Sequence, residues 1–198
     1  MKRIGIMNDF IIFFELGWKH IISTDALDHQ LFILALTAIY LKDNWKQVLI
    51  LVTAFTIGHS LTLALSAYDI IRFSSTWVEF LIPLSIVITA ALNFFQKDFE
   101  KSSLRKNYVL ALLFGLIHGL GFANTIRFML ANDQLVSLPL LSFNLGLEAG
   151  QIVLVSIILL LSYLIVNKAG LQRKWWMWMW SSIALIISCI FCIQRWPL

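Results

Sequence analysis

The sequence predicts an all-α polytopic membrane helix bundle of about seven transmembrane helices. The first two are short, the N-terminus is in, the C-terminus is out, and residues 1–198 form one domain. Three observations carry that prediction. Hydrophobic residues make up 60% of the 198-residue chain and charged residues only 13%, whereas a soluble domain is roughly half apolar and a quarter charged. The apolar residues fall into seven blocks with short polar breaks, and lipid forces each block to satisfy its own backbone, which means helices. The basic residues gather in alternate breaks, the pattern that sets membrane orientation. That pattern also accounts for the net charge of +4 without a nucleic-acid partner.

The first block, Asp9–Trp18, follows Lys2 and Arg3 with no small-residue cleavage site, so it reads as retained. The second is Leu27–Leu41. The 13 residues from His29 to Leu41 reach roughly 20 Å as helix, and the hydrocarbon core is about 30 Å thick. The connection around His20–His29 is therefore expected to dip below the outer surface, covered by protein or lining a wet cavity. The remaining blocks are Gln47–Ala67, Trp77–Phe95, Tyr108–Leu130, Leu138–Val166 and Trp175–Ile193. With a cytoplasmic N-terminus, eleven of fifteen basic residues are inner: Lys2, Arg3, Lys42, Lys46, Lys97, Lys101, Arg105, Lys106, Lys168, Arg173 and Lys174. Lys19, Arg72, Arg127 and Arg195 are outer. The run Trp175, Trp176, Trp178 and Trp180 reads as an inner aromatic belt.

Ionisable residues inside a bilayer are costly and mark function. His29 is 13 residues from Lys42, His59 is 13 from Lys46 and His118 is 12 from Lys106, so all three lie at about 18–20 Å from the inner surface. His20 sits in the connection just above. Asp28 adjoins His29. Glu79 is 18 residues from Lys97 and Glu148 is 20 from Lys168, which puts both at about 27–30 Å. The expected ligands are therefore His20, Asp28, His29, His59, His118, Glu148 and Glu79. Imidazole with carboxylate suits Ni, Zn, Cu or Fe, so the partner read here is a divalent transition metal of unspecified identity. Proton relays use the same residue types.

Polar stripes run beside these residues: Thr56, His59 and Thr62 on one helix, Asn144, Glu148 and Gln151 on another. Ser60, Asn144, Gln151 and Asp25 are the expected hydrogen-bonding supports of the ligands. Gly115-x-x-x-Gly119 and Gly146-x-x-x-Gly150 would let helices approach closely. Several members have competing roles. Glu79 has Arg72 within reach, Asp25 suits a helix cap, and Glu15 has Lys19 one turn on. Cys189 and Cys192 share a face and read as inert buried cysteines more readily than as a metal trap. Below the histidines lie Thr37, Thr53, Thr89, Asn93, Ser156 and Ser162, but no ionisable group.

Four ordered motifs resemble the HupE/UreJ membrane protein family. They are His20-Ile-Ile with Asp28-His29-Gln-Leu-Phe-Ile-Leu-Ala-Leu; Thr53-Ala-Phe-Thr-Ile-Gly-His59-Ser-Leu-Thr-Leu; Phe114-Gly-Leu-Ile-His118-Gly-Leu-Gly-Phe-Ala; and Phe143-Asn-Leu-Gly-Leu-Glu148-Ala-Gly-Gln. They cover about two-thirds of the chain. The resemblance implies a multi-pass inner-membrane protein of six to seven helices, associated with nickel supply to hydrogenase and urease. It implies a metal-handling role for His20, Asp28 and His29. In this chain seven residues, Ile21 to Leu27, separate His20 from Asp28, where the family pattern usually has five.

Three functions follow as expectations: a nickel or other divalent-metal permease; a membrane metallohydrolase with Glu148 or Asp28 as general base; and a non-transporting metal chaperone or sensor. The partners expected are the lipid bilayer and the metal ion. A second copy of the chain and a metallochaperone remain open.

Overall fold

The computed structural model describes residues 2–96, 104–129 and 136–197, without the side chains of residues 2–7, 123, 124 and 127–129. Leu130, Lys97 and Lys101 and the side chains of Lys2, Arg3 and Arg127 lie outside the described parts. The described residues form seven helices and no strand: α1 Lys2–Ile22, α2 Leu27–Thr37, α3 Trp45–Ala67, α4 Ser75–Phe94, α5 Leu104–Met129, α6 Ser137–Ser162 and α7 Arg173–Gln194. A π-helical turn, Tyr163–Lys168, extends α6. Four are long and apolar enough to cross a membrane: Lys42–Ala67, Ser75–Phe94, Ser137–Lys168 and Arg173–Gln194.

The first apolar block understates its helix. α1 has 21 residues, because Glu15 and Lys19 interrupt the hydropathy but not the helix. They form an i,i+4 ion pair at 2.6 Å on an exposed face, which settles Glu15 as Lys19's partner. The second block is short as expected: α2 has 11 residues, or about 16 Å.

Glycine sets the two closest helix pairs. A β-carbon at Gly17 would overlap the Phe143 carbonyl, and one at Gly146 would overlap the Phe14 carbonyl. Ser142 Oγ also donates to the Phe10 carbonyl. The partners advance together (10 with 142, 14 with 146, 21 with 150), so α1 and α6 are parallel. By the same logic Gly58, Gly115 and Gly119 seat α3 against α5 in parallel, with Phe55 opposite Gly115 and His59 opposite Gly119. Across α4 and α7 the pairing is antiparallel: Phe94 meets Trp178, Asn93 bonds Ser181, and Phe80 meets Trp196.

These pairings determine where the ends lie. The Lys42 ammonium sits 4.0 Å from the Tyr163 ring centroid, so α6 runs toward the end where α3 begins. α1, parallel to α6, runs the same way. The N-terminal end of α1 and the C-terminal end of α7 therefore lie at one end of the bundle. The expectation of an inner N-terminus and an outer C-terminus finds no support in this arrangement. α2 continues in the direction of α1 after a break, since Asp28 pairs with Arg195 near one end while Asn93 bonds the Ala35 carbonyl toward the other. α1 and α2 thus run end to end in one direction with a break between them, rather than as a hairpin. Hydropathy counted two apolar blocks and had no means of telling a reversal from an interruption.

The core lies among Phe32, Phe55, Phe143, Leu63, Ile86 and Trp176, each less than 2% exposed. Trp176 was expected in the aromatic belt. It is fully buried instead, 5.5 Å from Trp180, because its position on α7 faces the bundle while Trp175 faces outward.

Candidate metal centre

The break between α1 and α2 builds the site. Ser23, Thr24 and Asp25 have side chains that compete for backbone hydrogen bonds, and the chain there leaves the α-helix for a single 3-10 turn, Thr24–Ala26. Gln30 Nε2 donates to the Ile21 carbonyl at 3.0 Å and the Ser23 carbonyl at 2.8 Å, satisfying acceptors that the end of α1 leaves open. His20 was expected in a loop. It lies on the last turn of α1, with Asp28 and His29 on the first turn of α2. Two helix ends meeting head to tail bring these three together.

His29 is central to a histidine layer. Its ring centroid lies 4.5 Å from His20, 6.0 Å from His59 and 4.9 Å from His118. His20 and His59 are 5.8 Å apart. Four helices therefore contribute one histidine each: α1, α2, α3 and α5. Candidate ligand atoms of His20, His29 and His59 all lie within 4.8 Å of one another. His118 is not in that group of three; its Nε2 is 3.2 Å from Ser85 Oγ instead. Of the four expected histidine ligands, His20, His29 and His59 form this group, and His118 stands beside His29 with its Nε2 turned to Ser85. Counting residues along separate helices assigned depth but not the side of the ring stack.

His20 Nε2, His29 Nε2, both nitrogens of His59 and His118 Nδ1 are buried with no hydrogen-bond partner. An unmade bond at a buried polar atom costs about 1–3 kcal/mol. Several such atoms converging on one point fit a cation, for which neutral imidazole is a standard ligand. Phenylalanines wall the layer: Phe122 is 4.3 Å from His20, Phe143 is 5.5 Å from His20 and 6.1 Å from His59, and Phe55 is 5.1 Å from His118.

A cavity of about 300 Å³ opens onto the layer. His20, His29 and His118 line it with Asp25, Asp28, Glu79 and Arg195. Three carboxylates against one guanidinium make it a cation-attracting vestibule. Asp28 Oδ2 pairs with Arg195 Nη1 at 2.8 Å, while Asp28 Oδ1 is buried without a partner. Arg72 pairs with Asp69, its Nε donating to Oδ1 at 2.6 Å. That hydrogen bond, with the carboxylate's charge, raises the Arg72 pKa. Arg72 therefore does not serve as the partner of Glu79.

Other expected members stand elsewhere. Glu148 accepts from Thr53 Oγ1 at 2.9 Å, and Thr53 is six residues before His59 on α3, roughly 9 Å along the axis. Ser60 donates to the Thr56 carbonyl at 2.6 Å and Asn144 to the Leu140 carbonyl at 2.8 Å. Gln151 accepts from Thr56 Oγ1 at 2.7 Å. None of these hydrogen bonds reaches a histidine. Gln151 Nε2 and Asn144 Oδ1 are buried and unpartnered, leaving polar atoms within this α3–α6 region. Cys189 and Cys192 are free thiols on α7, the former exposed. Ser85 was not singled out in the sequence; its spacing of four from Thr89 and eight from Asn93 was the available signal.

The family model described as HupE / UreJ protein matches residues 2–195. No curated protein matches the chain, and no solved structure does. The family match covers nearly the whole chain and contains every histidine of the layer, so the chain belongs to the HupE/UreJ family.

Proposed function

We propose that the protein captures a divalent transition metal, nickel foremost, through His20, His29 and His59 and serves its passage across the membrane. The observation that carries this reading is the convergence of three buried imidazoles whose ligand atoms lie within 4.8 Å of one another. The family's association with nickel supply supports the choice of ion. The acidic vestibule supports capture from solution, with Asp25 and Glu79 attracting the cation and Asp28 offering its unpaired oxygen beside His29.

The vestibule end is the outer one in this reading. The opposite end carries Lys42, Lys46, Arg105, Lys106, Lys168, Arg173 and Lys174 among the described residues, and such an excess of basic residues marks the cytoplasmic side. Both chain ends then face outward. The hydrolase reading loses support here, since Glu148 is hydrogen-bonded to Thr53 and Asp28 is ion-paired with Arg195.

Purified full-length protein loaded with Ni2+ and analysed for metal tests the site. His29→Ala and His59→Ala are each expected to lose the bound ion. Both variants holding as much metal as the unmutated chain would overturn the proposal.

A further inference from the structure

One face of α4 continues from the histidine layer toward the basic end. Ser85, Thr89 and Asn93 are spaced four residues apart and are 1%, 6% and 7% exposed. Three residues on, Gln96 joins Thr89, Asn93 and Asn107 in lining a second, smaller cavity of about 50 Å³. Asn107 Nδ2 donates to Tyr40 Oη at 2.7 Å beside it. Ser85 to Asn93 spans eight residues of α4, or about 12 Å of helix, with Gln96 just past its end, a large part of the inner half of a hydrocarbon core about 30 Å thick.

The hydrogen bonding leaves these groups with one free capacity. Ser85 Oγ donates to the Ile82 carbonyl at 2.6 Å, and Thr89 Oγ1 to the Ser85 carbonyl at 2.8 Å. Asn93 Nδ2 donates to the Ala35 carbonyl at 2.8 Å and to Ser181 Oγ at 2.9 Å. With their protons committed, the oxygens of Ser85, Thr89 and Asn93 remain as acceptors. Because the Ser85 proton goes to Ile82, His118 Nε2–H donates to Ser85 Oγ. That tautomer leaves the unpartnered Nδ1 of His118 with its lone pair.

We propose that His118 is a transfer ligand rather than a resident one, and that the α4 stripe of Ser85, Thr89 and Asn93 is the ion's inward route to the second cavity. This rests on the metal-handling reading above. His118 lies 4.9 Å from His29 on one side and bonds the head of the stripe on the other. Oxygen ligands hold a late transition metal less tightly than imidazoles do, and conduction needs sites that bind weakly enough to release. The outer layer captures, and the inner stripe lets go.

Full-length protein in liposomes, with Ni2+ entry read by a trapped metal-sensitive dye, tests the route. Thr89→Val keeps the shape and removes the oxygen. It is expected to slow entry by about tenfold, the effect of a ~1.4 kcal/mol higher barrier, while purified protein retains its bound Ni2+. Thr89→Ser keeps the oxygen and is expected to retain most of the rate. His118→Ala is expected to slow entry with bound metal retained. Thr89→Val admitting Ni2+ at the unmutated rate would overturn the route, as would Thr89→Ser slowing entry as much as Thr89→Val. Unmutated protein that binds Ni2+ but admits none would also overturn it, leaving the capture reading intact. Failure of the unmutated chain to bind Ni2+ would sink the capture reading itself.

Discussion

A histidine nitrogen must shed its proton to hold a metal, so acid and metal compete for the same lone pairs. Lowering the pH of the loaded protein is expected to release Ni2+, read by equilibrium dialysis; metal content unchanged by acid would argue against imidazole ligation. Asp28 is tied to Arg195 through one oxygen and has the other buried beside His29. Asp28→Asn removes its charge and weakens the Arg195 pair, and is expected to lower Ni2+ affinity by about ten- to a hundredfold, the range seen for groups that support metal ligands. A titration of metal binding gives the value. Cys192 is a half-buried thiol outside the histidine group. Cys192→Ser is accordingly expected to leave the bound metal unchanged, and loss of metal there would assign the thiol a role that the structure does not give it.

The elements owe their positions to side chains that are missing as much as to those present. Gly→Ala in a helix interior ordinarily stabilises by up to about 1 kcal/mol. At Gly17 the new methyl group would meet the Phe143 backbone, which cannot rotate away as a side chain can. Gly17→Ala is therefore expected to destabilise by about 1–3 kcal/mol, the cost of overpacking, and to lower the thermal midpoint in detergent. Gly121→Ala provides the contrast: its β-carbon would approach Ile82 Cδ1 at 2.7 Å, the far end of a flexible side chain, so little loss of stability is expected. Gly17 and Gly146 of the α1–α6 seam serve the site indirectly, because α1 presents His20 to His29 while lying against α6. Pro83 acts on α4 in another way. It has no backbone N–H, so the Glu79 carbonyl lacks its usual intrahelical donor at the wall of the vestibule.

At the scale of the whole molecule, the parallel run of α1 and α6 predicts a measurable topology. Epitope tags at the two chain ends are expected to be accessible from the same side of the membrane, and a cysteine placed in the 169–172 connection from the other. Tags exposed on opposite sides would overturn the end-to-end run of α1 and α2. The sequence by itself determined the helical class, because apolar blocks of that length leave the backbone no partners but its own. It also determined that His29, His59 and His118 share a depth, because helical rise converts residue count into distance. His20, Asp28 and His29 were legible as neighbours from the short connection between them, and their family motif names them together. What the tertiary structure decided is which nitrogens face each other, that Glu148 accepts a hydrogen bond from Thr53, that Ser85 meets His118, and that the start of α1 and the end of α7 share an end of the bundle. Each of these depends on helix direction, rotation and tilt. Those are set by contacts between residues distant in the chain, such as Gly17 with Phe143, and a pattern read along one strand of sequence carries no record of them.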